Sequence, residues 1–257
     1  VGYEHITVER DGPTVVVTMN RPERRNALSL EHLEELLHAV DAVGGSDATG
    51  LVLAGNGPVF SSGHDLGAMR GADLPAMRHL LRRCSDLMLR FHEIPQVVIA
   101  RVHGLATAAG CQLVAACDLA VAARSARFGA PGGRGGWFCT TPMVAIGRSV
   151  GRKQAVEMAL TGEEIDADTA LAWGLVNRVV DDDRLDDAVA ELLALATRGS
   201  AASRALGKQA LYTQLSMGER EAYDYAIEVM AAASQLHDAQ EGMAAFVEKR
   251  PPVWEHR

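Results

Sequence analysis

Little in this chain of 257 residues points to a membrane, a metal or a disulfide framework. No apolar run is long enough to cross a bilayer, which takes about 20 residues as a helix. The opening residues, Val1-Gly2-Tyr3-Glu4-His5, lack the basic and apolar stretches of a secretory leader. Only four cysteines occur, Cys84, Cys111, Cys117 and Cys139, and none forms a C-x-x-C pair. Cys111 and Cys117 fall in an apolar, helix-like stretch and read as buried thiols. Together these absences predict a reducing, cytoplasmic compartment. Nine histidines are scattered without ligand spacing, so no metal site is expected. Simple repeats and low-complexity tracts are absent too.

What remains is an ordinary globular composition. Apolar residues make up 48% of the chain, and the mean hydropathy is +0.01. The length suits one domain with a small appendage and a sizeable core. A net charge of −8 argues against nucleic acid as the partner. An anionic small ligand stays open, because local Arg and Lys clusters act against the global sign.

Periodicity supplies the elements. Thr14–Met19 is rich in β-branched residues and reads as a strand. After the polar turn Asn20–Arg25, Ser29 is placed to cap an amphipathic helix running to about Val43. Gly50–Ala54 is a short buried strand. Apolar residues recur at helical spacing from Met77 to His92 (Leu80, Leu81, Cys84, Leu87, Met88, Phe91). Pro95 ends that helix, and Gln96–Val102 is the next strand. Thr107–Val114 reads as a helix start and Cys117–Ala122 as a strand. This alternation predicts a mostly parallel α/β arrangement. Beyond Gly151 only Leu175–Val180 reads as strand. Helical patterns run from Arg184 to about Lys249, which divides the chain into a core, 1–183, and a helical region, 184–257.

Two segments carry the chemistry, Phe60-Ser-Ser-Gly-His-Asp-Leu66 and His103-Gly-Leu-Ala-Thr-Ala-Ala-Gly-Cys-Gln-Leu113. Each sets glycine and very small residues where an apolar stretch gives way to a helix. Helix starts leave backbone N–H groups unpaired, and two such donors brought together make an oxyanion hole. The plainer alternative is that Gly63 and Gly110 serve tight turns and close packing.

These segments, with Asn20-Arg-Pro-x-x-x-Asn26-Ala-Leu28, Phe128-Gly-Ala-Pro131, Leu160-Thr-Gly162, Gly174-Leu-Val176 and Glu241-Gly-Met-x-Ala-Phe246-x-x-Lys249-Arg250, resemble the crotonase, or enoyl-CoA hydratase/isomerase, superfamily over essentially the whole chain. The resemblance implies a spiral of repeated β-β-α turns with a C-terminal helical trimerisation region. It implies trimers or dimers of trimers that bind coenzyme A thioesters, with no separate cofactor. The two oxyanion donors fall on the backbone amides of His64 and Ala109. Coenzyme A contacts fall on Arg24, Arg25, Ser62 and the run His64, Asp65, Leu66, Gly67, with Phe246 and Lys249 from a neighbouring subunit. A lysine that other members place at Gly67 is missing, which shifts that phosphate contact toward Arg70.

The departures bear on the reaction. Two glutamates that hydratases of the family use around a water fall here on Gln112 and Gly132. Gln112 orients by hydrogen bonds but exchanges no proton near neutral pH, and Gly132 has no side chain. A subgroup of enoyl-CoA hydratase domain-containing proteins is similar here, with G-H-D-L, A-A-G-C-Q-L and a Phe-Cys pair. The chain therefore reads as an acyl-CoA thioester enzyme that stabilises an enolate-like oxyanion, with decarboxylation or isomerisation open beside hydration. A non-catalytic or regulatory acyl-CoA-binding protein is the alternative. The His64 imidazole points either into the acyl pocket or to a supporting role. Cys139 lies on the acyl-pocket loop as either a reactive or a packed thiol. Asp65 is read as the cap of a helix starting at His64, and Asp118 as a partner for backbone donors rather than a base.

Overall fold

The computed structural model describes residues 2–257. Strands β1 (Ile6–Asp11) and β2 (Thr14–Met19) form an antiparallel hairpin, and β2 then pairs in parallel with β3 (Gly50–Gly55). The crossover between them is α1 (Leu30–Gly44), capped by Ser29 Oγ accepting from the His32 amide. The short α2 (Leu66–Met69) and the long α3 (Leu74–Glu93) lead to β4 (Val97–Val102). Then come β5 (Leu105–Thr107), α4 (Ala109–Ala116), β6 (Leu119–Ala123) and β7 (Arg127–Gly129). Helices α5 (Pro142–Ser149) and α6 (Arg152–Thr161) precede β8 (Ile165–Asp166), α7 (Ala167–Trp173) and β9 (Arg178–Val180). Helices α8 (Leu185–Thr197), α9 (Ala201–Gln214), α10 (Glu219–Ala233) and α11 (His237–Glu248) complete the chain.

The large sheet has the order β1-β2-β3-β4-β6-β9, parallel from β2 onward, and a small sheet has the order β5-β7-β8. Central strands buried on both faces read as continuous apolar runs, and β3 is buried at every position. The period of two sorts its side chains. Leu51 and Leu53 join the core under α1 and α3, whereas Val52 joins Ile99, Val121, Val189 and Leu193 under α8. Both faces of the sheet are thereby closed.

Helix α9 is fastened to this core by a buried ion pair. Lys208 Nζ lies 2.6 Å from Asp118 Oδ2 and donates to the carbonyls of Phe91 and Gln96, each at 2.7 Å. Asp118 also accepts from the Val98 amide and from the Tyr212 hydroxyl, whose ring stacks on His92. Asp118 thus serves backbone and helix docking, as its sequence context predicts.

Several elements differ from the sequence reading: β5 takes Thr107 from the expected helix start, β8 was not expected, and β9 begins only at Arg178. Strand β6 begins at Leu119 because Cys117 ends α4. Helix α2 begins at Leu66, not at His64: Asp65 is its N-cap, accepting from the Ala68 amide at 3.2 Å. His64 instead sits in extended backbone, bridged to Leu28.

Candidate active site

The site begins with a buried asparagine. Asn26 is fully buried, and its Nδ2 donates to the carbonyls of Asn56, Val59 and Phe60 at 2.8, 3.0 and 3.1 Å. Its Oδ1 accepts from the Arg21 amide. The Ser61 hydroxyl donates to the Asn26 carbonyl, and the Ser62 amide donates to the Arg25 carbonyl. The segment entering the Phe60–Leu66 loop is thereby pinned to the Arg21–Leu28 turn. The motif contains Asn26, but sequence reasoning gave it no role; the signal was its place at the end of a charged turn, directly before an apolar pair.

Pinning continues through the donor itself. The Leu28 amide donates to the Gly63 carbonyl, and the Asp65 amide donates to the Leu28 carbonyl. In a parallel bridge of this kind the intervening residue directs its own N–H to the opposite side. The His64 amide therefore faces away from Leu28, and it donates to no acceptor among the described residues.

The second donor arrives from α4. A Cβ built on Gly63 would lie 2.9 Å from the Ala108 Cβ and 3.1 Å from the Ala109 amide nitrogen. Gly63 also has φ +85, a backbone region that favours glycine. A Cβ on Gly110 would sit 2.3 Å from the Ser61 carbonyl oxygen. Close packing at these glycines is the means by which the two segments meet. Ala109 opens α4 and its amide donates to no acceptor among the described residues, as expected of the first helical residue. Ala108, just before it, holds φ 51 and ψ −117. Such a conformation costs a non-glycine residue about 1–3 kcal/mol and is kept where the surroundings fix it.

Around these amides the polar side chains are few. Gln112 is 3% exposed, and its Oε1 accepts a long contact from the Cys84 thiol at 3.9 Å. His64 is buried, and its Nε2 has no hydrogen-bond partner. Burial alone holds the imidazole near a pKa of about 4, so it is neutral at pH 7. Its ring lies 6.3 Å from that of Trp137.

Gly132 is sterically closed. A Cβ there would fall 2.3 Å from the Trp137 carbonyl oxygen and 2.7 Å from Cys139 Sγ. The Gly132 amide donates to that sulfur at 3.3 Å, and the Trp137 amide donates to the Gly132 carbonyl at 2.9 Å. Cys139 is buried, which raises its thiol pKa. The glycine run Pro131–Gly136 is thus hydrogen-bonded onto itself, and Arg134 anchors it to Glu163 at 2.8 Å. Trp137 was missed from sequence; its place directly after a glycine run was its signal.

The remaining predicted residues lie apart in character. Arg24 and Arg25 are exposed on the turn, Ser62 is half-buried, and Leu66 and Gly67 are exposed on α2. Asp65 is committed to its cap and to Arg21 at 3.5 Å. Phe246, 86% exposed, and Lys249 stand on α11 and at its end. A cavity of about 700 Å³ opens between α8, α9 and α11, lined in part by Arg204, Met243, Phe246 and Trp254. No group of three or more potential metal ligands exists among the described residues, and none of their helices is long and apolar enough to cross a membrane.

Comparison with known proteins identifies the family. The sequence model described as enoyl-CoA hydratase/isomerase matches residues 9–257. The chain belongs to the enoyl-CoA hydratase/isomerase family. Among family members, a Danio rerio protein named enoyl-CoA hydratase domain-containing protein 3, mitochondrial, is 46% identical, covering 96% of this chain and 86% of its own. The Homo sapiens protein of that name is 42% identical over 93% of this chain and 80% of its own. A solved enoyl-CoA hydratase from Mycobacterium smegmatis superposes with a TM-score of 0.95 at 44% identity, covering 98% of this chain and 99% of that one. The α/β crotonase fold expected from the sequence is the fold observed.

The cytoplasmic expectation is corrected by the same family members. These animal relatives are named as mitochondrial proteins. The four free thiols are all buried, and a buried, packed thiol does not tell one compartment from another.

Proposed function

We propose that this chain binds coenzyme A thioesters and stabilises an enolate-like oxyanion between the amides of His64 and Ala109. The observation that carries the reading is the pair of unpartnered backbone donors brought together by the contact of Gly63 with Ala108 and Ala109. Preorganised donors of this kind act on charge as it develops, and one is worth roughly 3–4 kcal/mol of barrier. Gln112 orients the bound group. With no carboxylate at residues 112 and 132, decarboxylation, in which loss of CO2 leaves the enolate without a protein base, fits better than two-carboxylate hydration; isomerisation requires a proton carrier other than these two residues.

Coenzyme A lies across the exposed turn at Arg24 and Arg25, the Ser62 to Gly67 segment and Arg70. Phe246 and Lys249 of a neighbouring protomer complete that surface in a trimer or a dimer of trimers. The exposed apolar residues Leu215, Ile227 and Met230 of the C-terminal helices support such an assembly.

Thermal shift with a panel of acyl-CoAs tests the binding, since a ligand of the native state raises Tm. Ala109→Pro deletes one donor and is expected to abolish turnover. Acyl-CoA binding with no turnover of any thioester would favour the non-catalytic reading. Absence of any shift would overturn the proposal.

A further inference from the structure

We infer that the acyl subsite is built for a flat aromatic group, with the indole of Trp137 as its wall. This rests on the thioester reading above and names its substrate class.

Aromatic residues are scarce in this chain, at 5%. Trp137 is nevertheless left 45% exposed, with its ring 6.3 Å from that of His64, whose amide is one of the two donors. A tryptophan normally stabilises a fold by burying its large surface. The backbone that carries this one is fixed by specific bonds. Its amide closes the turn onto the Gly132 carbonyl, the Cys139 thiol takes the Gly132 amide, and Arg134 fixes the outer end on Glu163. The same closure that removes room for a side chain at residue 132 carries the indole to within 6.3 Å of the His64 ring.

The chemistry of the neighbourhood suits a π-surface. The His64 imidazole is neutral and buried, so the indole and the imidazole form a pair of uncharged rings. No titratable side chain contributes to the lowered pKa of His64 besides its own burial. A flat acyl ring that reaches the indole gains stacking or edge-to-face contact. A puckered saturated ring of the same size buries similar area without that geometry.

Isothermal titration with phenylacetyl-CoA and cyclohexylacetyl-CoA separates the two. The wild-type chain is expected to bind the aryl thioester about two- to tenfold more tightly. Trp137→Leu is expected to erase the difference, weakening the aryl thioester by about two- to tenfold more than the cyclohexyl thioester. Trp137→Phe is expected to restore the preference. Equal affinities in the wild type, or a preference that survives in Trp137→Leu, would overturn the inference and leave thioester binding intact. Failure of both ligands and of every other acyl-CoA to bind would instead overturn the thioester reading beneath it.

Discussion

The Cα of Gly132 faces the carbonyl of Trp137 so closely that a Cβ would sit 2.3 Å from the oxygen. Real side chains do not tolerate that distance from a backbone atom. Installing a carboxylate at this position is therefore not a local change. Gly132→Glu is expected to lower stability by about 1–3 kcal/mol through overpacking and to leave hydration of crotonyl-CoA undetectable. Chemical denaturation and a hydration assay check both. A stable Gly132→Glu variant with efficient hydration would refute the steric reading.

Asn26 holds three carbonyls and one amide in a buried setting. Asn26→Ala leaves Asn56, Val59 and Phe60 carbonyls and the Arg21 amide to find other partners. The expected loss is about 2–4 kcal/mol, since each buried unsatisfied group costs about 1–3 kcal/mol and some relax toward water. Asn26→Asp keeps the acceptor and loses the donors, so it is expected to be impaired as well. Urea midpoints and the acyl-CoA thermal shift are the measurements.

Two buried histidines make stability depend on acid. Burial holds both His32 and His64 near a pKa of about 4, against about 6.5 in an unfolded chain. Below that unfolded value the unfolded state binds more protons, so stability is full above it and is lost as pH falls toward 4. Each histidine accounts for up to about 3 kcal/mol across that window. Tm is expected to fall between pH 6.5 and 4, and more gently in His64→Gln. An unchanged slope in that variant would rule out a buried neutral His64.

The clasp of α9 is open to the same kind of test. Lys208 and Asp118 are nearly enclosed, at 9% and 13% side-chain exposure. Lys208→Ala strands a buried carboxylate that retains the Tyr212 hydroxyl and the Val98 amide. Removing one partner of such a pair typically costs about 3–5 kcal/mol. Hydrogen exchange is expected to quicken first in α9, because that helix buries no residue fully of its own.

Long elements were legible from the sequence because periodicity needs length. Val15–Met19, the α1 stripe of Leu33, Leu36, Leu37 and Val40, and the α3 stripe through Phe91 each repeat often enough to declare themselves. The small sheet was not legible, because β5, β7 and β8 have three, three and two residues. At the site, the small-residue segments announced close backbone approach, and Gly63 and Gly110 deliver it. The role of Gly132 was hidden. A glycine without a left-handed φ looks like a flexible spacer in a sequence, and only the Trp137 carbonyl and Cys139 sulfur reveal that it is a position with no volume to give.

That lack of volume makes the loop a one-way ratchet under substitution. Any side chain at residue 132 must wait until the sulfur at residue 139 and the carbonyl at residue 137 have moved aside. The sulfur accepts from the Gly132 amide and the Trp137 amide donates to the Gly132 carbonyl, so both are tied to the residue they crowd. A path of single replacements toward a carboxylate there passes through an overpacked intermediate at its first step, whichever replacement follows.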